Sequence, residues 1–328
     1  TAAKVDDYTF DITLRVTGRT ISKARIVDVV LVLDTSTSMV QDQNRNPKQK
    51  LADAKIAAKS LVANILDNNS LAKIALVRFS DSATKVRDLT NNKATLNSDI
   101  TNLTTSAGTN IQAGIREAYN ILNNSSTPKE NKYIILLSDG APTHSYKGTA
   151  ARTPSSGEVV GYAGVTAHNF VISGDSLGTT RIGQSSWDGY FLPTRNPDQR
   201  YYIGSNYVID NGIGTISEAI RARTEAKGAG NIYAIGLDLG STTPNYAKYV
   251  LRNVASKESN YFDTASNLQP IFDAIGSDIN ASSVNSGVVT DSVPSPFEIV
   301  TPLPAGLTQL GDGTLRWEVG NVGNAEKT

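Results

Sequence analysis

Five oxygen-bearing side chains carry the chemistry this sequence could do. Asp34, Ser36 and Ser38 belong to the string Asp34-Thr35-Ser36-Thr37-Ser38, which follows the apolar run 27–33. An apolar run of that length, interrupted by Asp28 alone, reads as a strand buried on both faces. Open α/β sheets bind ligands at the carboxyl ends of their strands, and alternation along the loop can aim all three side chains to one side. Thr109 lies in Gly108-Thr109-Asn110, just before a helix starting at Ile111. Asp139 lies in Ser138-Asp139-Gly140, at the end of the next buried strand. Strand ends converge at one edge of a sheet, so Thr109 and Asp139 can join the first loop there. All five offer only oxygen, which a hard cation such as Mg²⁺ takes in octahedral array at about 2.1 Å. Singly, each has a plainer use: Ser and Thr cap helices and close turns, and Asp-Gly is a common turn. The ordered set is what points to a metal.

Other chemistries find less support. Cysteine is absent, which removes disulfides, thiolate nucleophiles, zinc–cysteine sites and iron–sulfur clusters. His144 and His168 have no metal-type spacing, so zinc is not expected. No nucleophile elbow, phosphate-binding loop or dinucleotide-binding turn is expected either. Asp34 sits where an aspartyl nucleophile of a phosphatase would, but Ser36 stands where such sites carry a second acid. A metal-dependent hydrolase needs a base near the metal, and His144 is the one available. The chain therefore reads as a binding protein and not an enzyme, with a Mg²⁺-dependent hydrolase as the weaker alternative. Lys plus Arg and Asp plus Glu both number 31. With no basic excess, neither nucleic acid nor an anionic membrane is an expected partner. No apolar stretch is long enough to span a bilayer, and both ends read as cuts within a longer protein.

These residues need a sheet to hold them. Segments 27–33, 73–79, 84–89, 133–137 and 232–237 read as strands. Segments 50–66, 94–103, 111–122, 216–226, 246–254 and 268–279 read as helices, the first with Leu51, Ala54, Ala58, Leu61, Val62 and Ile65 at helical spacing. Their alternation predicts an α/β fold: a doubly wound, mostly parallel sheet flanked by helices. The rhythm breaks over 143–212, which is too long for a plain connection and reads as an inserted arm. The arm starts a few residues after Asp139 and should rise beside it. Most of its aromatic residues must form a core, which leaves His144, Trp187 and Tyr190 as candidates to touch a ligand. Tyr8, Phe10, Ile12, Leu14 and Val16 alternate as one half-buried strand, and 287–300 and 315–319 are β-like. We therefore expect residues 1–25 and 284–328 to form one split β-sandwich-like domain, with the α/β domain, 26–283, inserted in it.

Asp-x-Ser-x-Ser after a buried strand, then Thr in Gly-Thr-Asn, then Asp in Ser-Asp-Gly, resembles the metal-ion-dependent adhesion site of von Willebrand factor A domains. All five positions match, and the likeness runs from Ile26 to about Ala281 apart from the arm. It implies the Rossmann-like fold of that family. It also makes Asp34, Ser36, Ser38 and Thr109 ligands or near-ligands of a divalent cation, Mg²⁺ ahead of Mn²⁺ or Ca²⁺, with Asp139 acting directly or through water. In that mechanism two carboxylates balance the cation, and an oxygen from a partner displaces one of its waters. The arm and the β flanks are similar to the tip adhesins of Gram-positive sortase-assembled pili. That similarity rests on Val289-Thr290-Asp291-Ser292-Val293 and Gly313-Thr314-Leu315-Arg316-Trp317-Glu318-Val319-Gly320. It implies an extracellular adhesin on the pilus tip or wall of a Gram-positive cell, used in host colonisation. The implied partners are a host extracellular-matrix protein or glycan, and a pilus backbone subunit reached through parts of the protein beyond this chain. Lectin-like binding by the arm, independent of metal, is the alternative. Stalk domains in such proteins form Lys–Asn isopeptide bonds, and Lys4 is the candidate lysine.

Overall fold

The computed structural model describes residues 2–4, 10–12, 16–17, 25–155, 169–184, 189–194, 199–241, 244–280, 284–292, 299, 303, 306–322 and 326–327. The chain divides into two compact units, one of residues 24–279 and one of residues 1–23 with 280–328. The larger unit starts two residues before the expected 26 and ends four residues before the expected 283. The chain opens with three short strands, β1 (Ala2–Lys4), β2 (Phe10–Ile12) and β3 (Val16–Thr17). β1 and β2 pair antiparallel, with Lys4 opposite Phe10. The single strand expected over 8–16 is thus two short ones, β2 and β3, in separate sheets.

The larger unit begins with β4 (Val27–Asp34), every residue of which is buried. Then come α1 (Lys50–Asn68), β5 (Ala72–Phe79), β6 (Ala83–Thr90), α2 (Lys93–Thr101), α3 (Ile111–Asn123) and β7 (Lys132–Ser138). Because strand side chains alternate faces, β4 feeds two cores. Val29, Leu31 and Leu33 pack with Leu61 and Ile65 of α1, while Val30 and Val32 pack with Ile111 and Ile115 of α3. Asn110 starts α3 by accepting the Ala113 N–H at 3.0 Å, a standard N-cap.

The arm follows as β8 (His144–Tyr146), β9 (Ala151–Arg152), β10 (Val171–Ile172), β11 (Arg181–Gly183), β12 (Tyr201–Ile203) and β13 (Asn206–Val208). Three antiparallel pairs form: β8 with β11, β9 with β10, and β12 with β13. The arm has a core of its own, in which Phe170, Ile172, Leu177, Ile182, Tyr201 and Val208 are buried. It is fastened to the domain by Arg116 of α3. That guanidinium donates to the carbonyls of Leu177 and Gly178, at 3.1 and 2.5 Å, and lies 4.2 Å from the centre of the Tyr146 ring.

The fold resumes with α4 (Gly212–Thr224), β14 (Asn231–Leu237), α5 (Tyr246–Val254), β15 (Tyr261–Thr264) and α6 (Gln269–Asn280). α4 starts four residues before the expected position. Asp210 Oδ1 accepts the N–H groups of Gly212 and Ile213, at 2.8 and 3.1 Å, and so begins the helix there. Gly212 and Gly214, which read as loop, are helical because the packing is close. A Cβ on Gly214 would lie 2.6 Å from Gln112 Oε1. The strands form one six-stranded sheet in the order β15-β14-β7-β4-β5-β6. Neighbours are parallel except β5 and β6. From β4 the chain builds outward to β5 and β6, then returns to the other side of β4 at β7. α1 and α3 lie on opposite faces, so the carboxyl ends of β4 and β7 flank the crevice that such sheets use for ligands.

The chain closes with β16 (Val284–Ser292), β17 (Leu307–Gln309), β18 (Thr314–Val322) and β19 (Glu326–Lys327). β16, β18 and β17 make an antiparallel sheet. β19 pairs with β3, so the first and last segments of the chain meet in one ladder. The strand expected over 287–300 stops at Ser292, and 293–298 lie outside the described residues.

Candidate metal centre

Asp34 is the last residue of β4 and has no exposed surface. Its Oδ1 accepts the Ser36 N–H at 2.7 Å, and its Oδ2 accepts the Ser138 hydroxyl at 2.6 Å. The loop is pinned behind it: Thr35 donates both its N–H and its hydroxyl to the Phe79 carbonyl at the end of β5, each at 2.8 Å. From this base the oxygens form a chain. Ser36 Oγ lies 2.8 Å from Ser38 Oγ, and Ser38 donates to Asp139 Oδ1 at 2.7 Å. Octahedral ligands at about 2.1 Å from Mg²⁺ sit about 3 Å from their cis neighbours, so these oxygens have the spacing of adjacent coordination positions. Ser36, Ser38, Thr109 and Asp139 all line one cleft of about 890 Å³.

Thr109 is held from behind. Its N–H donates to Thr143 Oγ1 at 2.8 Å, and its carbonyl accepts the N–H groups of Thr143 and His144 at 2.8 and 3.1 Å. The turn before it needs glycine. Gly108 has φ +86, and a Cβ there would lie 2.7 Å from Asp81 Cβ and 2.9 Å from His144 Cε1.

The electrostatics ask for a cation. Burial, and then the charge of Asp139, push the Asp34 carboxyl up to about 7, against partial relief from the Ser138 and Ser36 hydrogen bonds. Among the described residues, no three His, Asp or Glu side chains cluster as metal ligands. The donor set is instead two carboxylates completed by hydroxyls, which suits a hard cation and not zinc. A divalent cation bound there would supply a compact positive charge able to accept an oxygen from a partner.

Two charged residues here were missed in the sequence. Lys50 Nζ lies 3.0 Å from Asp139 Oδ2 and 3.2 Å from Asp238 Oδ2. Burial pulls the Lys50 amine down, but the Asp139 and Asp238 carboxylates outweigh it and hold the amine above its ordinary range. A signal for Lys50 existed, since it opens α1, the helix end where a positive charge is disfavoured. Asp238 gave none.

The arm candidates fare differently. His144 is 6% exposed and braces the Thr109 turn, with Nδ1 3.0 Å from Thr143 Oγ1. Burial and then Arg181 hold its pKa below the usual range. It is a buried support and not a surface contact. Tyr190 is 5% exposed, stacked on Tyr246 at 4.3 Å, with Phe191 edge-on at 5.1 Å. Its ring belongs to the packing of the cleft wall, where Phe191, Leu239 and Tyr246 are only partly buried. Trp187 lies outside the described residues, and of Lys4 only the backbone is described. The letters of a nucleophile elbow do occur, contrary to expectation, at Gly174-Asp175-Ser176-Leu177-Gly178. They form a short 3-10 turn in the arm and not the strand-to-helix turn that exposes a nucleophile.

Residues 29–141 match the family described as von Willebrand factor type A domain. The chain is 27% identical to the minor fimbrium subunit Mfa5 of Porphyromonas gingivalis, over 95% of this chain and 27% of that one. It spans about a quarter of the length of the curated relatives it matches. The pilus adhesin SpaC of Lactobacillus rhamnosus GG superposes with a TM-score of 0.63 at 19% identity, over 99% of this chain and 41% of that one. The vWF domain of the type V pili tip protein Mfa5 superposes with a TM-score of 0.54 at 24% identity, over 80% and 96%. Residues 29–141 thus match the von Willebrand factor type A family, and the chain is similar in fold to the pilus adhesin SpaC and to the vWF domain of the pili tip protein Mfa5.

Proposed function

We propose that this chain is the adhesive module of a pilus-tip protein, and that it captures a partner's acidic oxygen through a divalent cation, Mg²⁺ first. Asp34, Ser36, Ser38, Thr109 and Asp139 would hold the ion. The observation that carries this is the linked chain of oxygens Ser36–Ser38–Asp139, built over the buried Asp34 and open to the cleft. The protein's own residues do the preparatory work. Ser138 orients Asp34, Ser38 orients Asp139, and Thr143 fixes the Thr109 turn. The partner is a host matrix protein or glycan with an accessible carboxylate, and a pilus subunit is engaged by other parts of the longer protein. A Gram-positive wall is one setting for such a module. Mfa5 comes from a Gram-negative cell, so a Gram-negative surface is a second setting. Catalysis plays no part, and His144, the one expected base, is buried in the Thr109 brace.

A second reading, metal-independent sugar binding by the arm, rests on Tyr202 and Tyr207. They are 69% and 43% exposed and stacked at 4.5 Å on the β12–β13 hairpin. A screen against arrayed matrix proteins and glycans, in Mg²⁺ and in EDTA, separates the two. Binding lost both in EDTA and in Asp34→Ala is the expected result. Binding indifferent to both would overturn the metal-bridged mode and move the active surface to the arm.

A further inference from the structure

Lys50 occupies an unusual place. Its ammonium lies between two carboxylates on different strand ends: Asp139, just after β7, and Asp238, just after β14. The Lys50 side chain is 15% exposed, and that of Asp139 is fully buried. At that depth solvent and salt screen little of the interaction. Helix preference does not account for the lysine, because the first turn of a helix favours acidic residues. Asp238 has φ 52, the left-handed region that non-glycine residues seldom enter. Its N–H is held by the Thr264 carbonyl at 2.7 Å.

Asp139 therefore divides its carboxylate. Oδ1 takes the Ser38 hydroxyl on the side of the proposed metal ligands, and Oδ2 takes Lys50. We propose that Lys50 is a built-in counter-cation that weakens the grip of the Asp34–Ser36–Ser38–Thr109–Asp139 cluster on its divalent ion, and so leaves positive charge available to a partner's carboxylate. This rests on the metal site proposed above. The physical argument is competition. A fixed ammonium within hydrogen-bonding reach of a ligand oxygen repels a second cation on the same carboxylate and draws off part of its charge. Asp238 moderates the effect by sharing Lys50. Removing Lys50 should tighten metal binding, and removing the Asp238 charge should loosen it. A lysine that only supported the fold would produce no such opposite signs.

The test is calorimetric titration of Mg²⁺ and Mn²⁺ alone into the whole chain, as wild type, Lys50→Met, Lys50→Gln, Lys50→Arg, Asp238→Asn and Asp34→Ala. Lys50→Met and Lys50→Gln should bind about tenfold tighter or more, as loss of a nearby like charge at low screening implies. Lys50→Arg should stay within about threefold of wild type, because it keeps the charge. Asp238→Asn should bind more weakly, and asparagine tolerates the left-handed backbone there. In thermal melts, Mg²⁺ should raise the midpoint of Lys50→Met by more than it raises that of wild type. Equal or weaker binding by both neutral variants overturns the proposal while leaving the metal site standing, provided wild type binds and Asp34→Ala does not. Absence of binding by wild type overturns the metal site itself, and this proposal with it.

Discussion

Asp34, buried beneath the cleft, and Asp139, in its lining, are held by different protein partners, and those partners define how the site works. Asp34 is oriented from below by the Ser138 hydroxyl and the Ser36 N–H, while Asp139 is shared between Ser38 and Lys50. Ser138 is thus an outer partner of the proposed ligand set. Losing such a partner costs metal sites about 10–100-fold in affinity. Ser138→Ala should weaken Mg²⁺ binding by about that much in calorimetry. Unchanged affinity would show that Asp34 needs no help from Ser138. At this scale the sequence was readable where residues shared a loop or a strand end. Asp34, Ser36 and Ser38 lie in one string, and the parallel sheet brings Asp139 to them across β4 and β7. Lys50 and Asp238 were hidden because their link to Asp139 spans 89 residues on one side and depends on a left-handed backbone at Asp238 that sequence does not reveal. His144 misled because an arm histidine near a metal motif suggests surface chemistry. Its strand instead tucks it beneath Gly108.

The helices and strands hold the site by packing on both faces of the sheet, and one buried charge cluster fastens the arm to them. Glu218 of α4 has a fully buried side chain. It accepts Arg116 at 2.6 Å and Gln112 at 3.2 Å, and it pairs with Arg221 at 3.4 Å. Arg116 in turn holds the arm by the Leu177 and Gly178 carbonyls. Removing one partner of a buried ion pair leaves an uncompensated charge and costs about 3–5 kcal/mol. Glu218→Gln should lower unfolding stability in urea by about 3 kcal/mol, and limited proteolysis should cut the arm first. A loss below about 1 kcal/mol would show that Arg116 is satisfied without the carboxylate. Elements with strong periodicity were legible. The apolar runs gave β4 and β7, and helical spacing gave α1. α4 was read late because Gly212-Ile213-Gly214 looks like a loop. Its glycines serve close contact with Tyr190 and Gln112, and its start is set by Asp210. Residues 8–16 were misread as one strand because alternation alone does not show where the chain changes partners.

For the whole molecule, the α/β unit carries every residue of the proposed site, while the first and last segments of the chain pair through β3 and β19. Sequence alone could suggest that split because β-type patterning flanks the α/β rhythm on both sides. The finer limits could not be read, since they depend on contacts and not on composition. The α/β unit has its cleft at the carboxyl ends of the strands, with the arm rooted beside it. All of this turns on one claim, that the five oxygen donors hold a divalent ion. The direct measurement is the anomalous scattering of Mn²⁺ in crystals of the whole chain, grown at saturating Mn²⁺, for wild type and Asp34→Ala. A single strong peak bounded by Asp34, Ser36, Ser38, Thr109 and Asp139 in wild type, and lost in the variant, is the expected result. An intact fold with no manganese at that position, or with manganese bound elsewhere in the cleft, would contradict it.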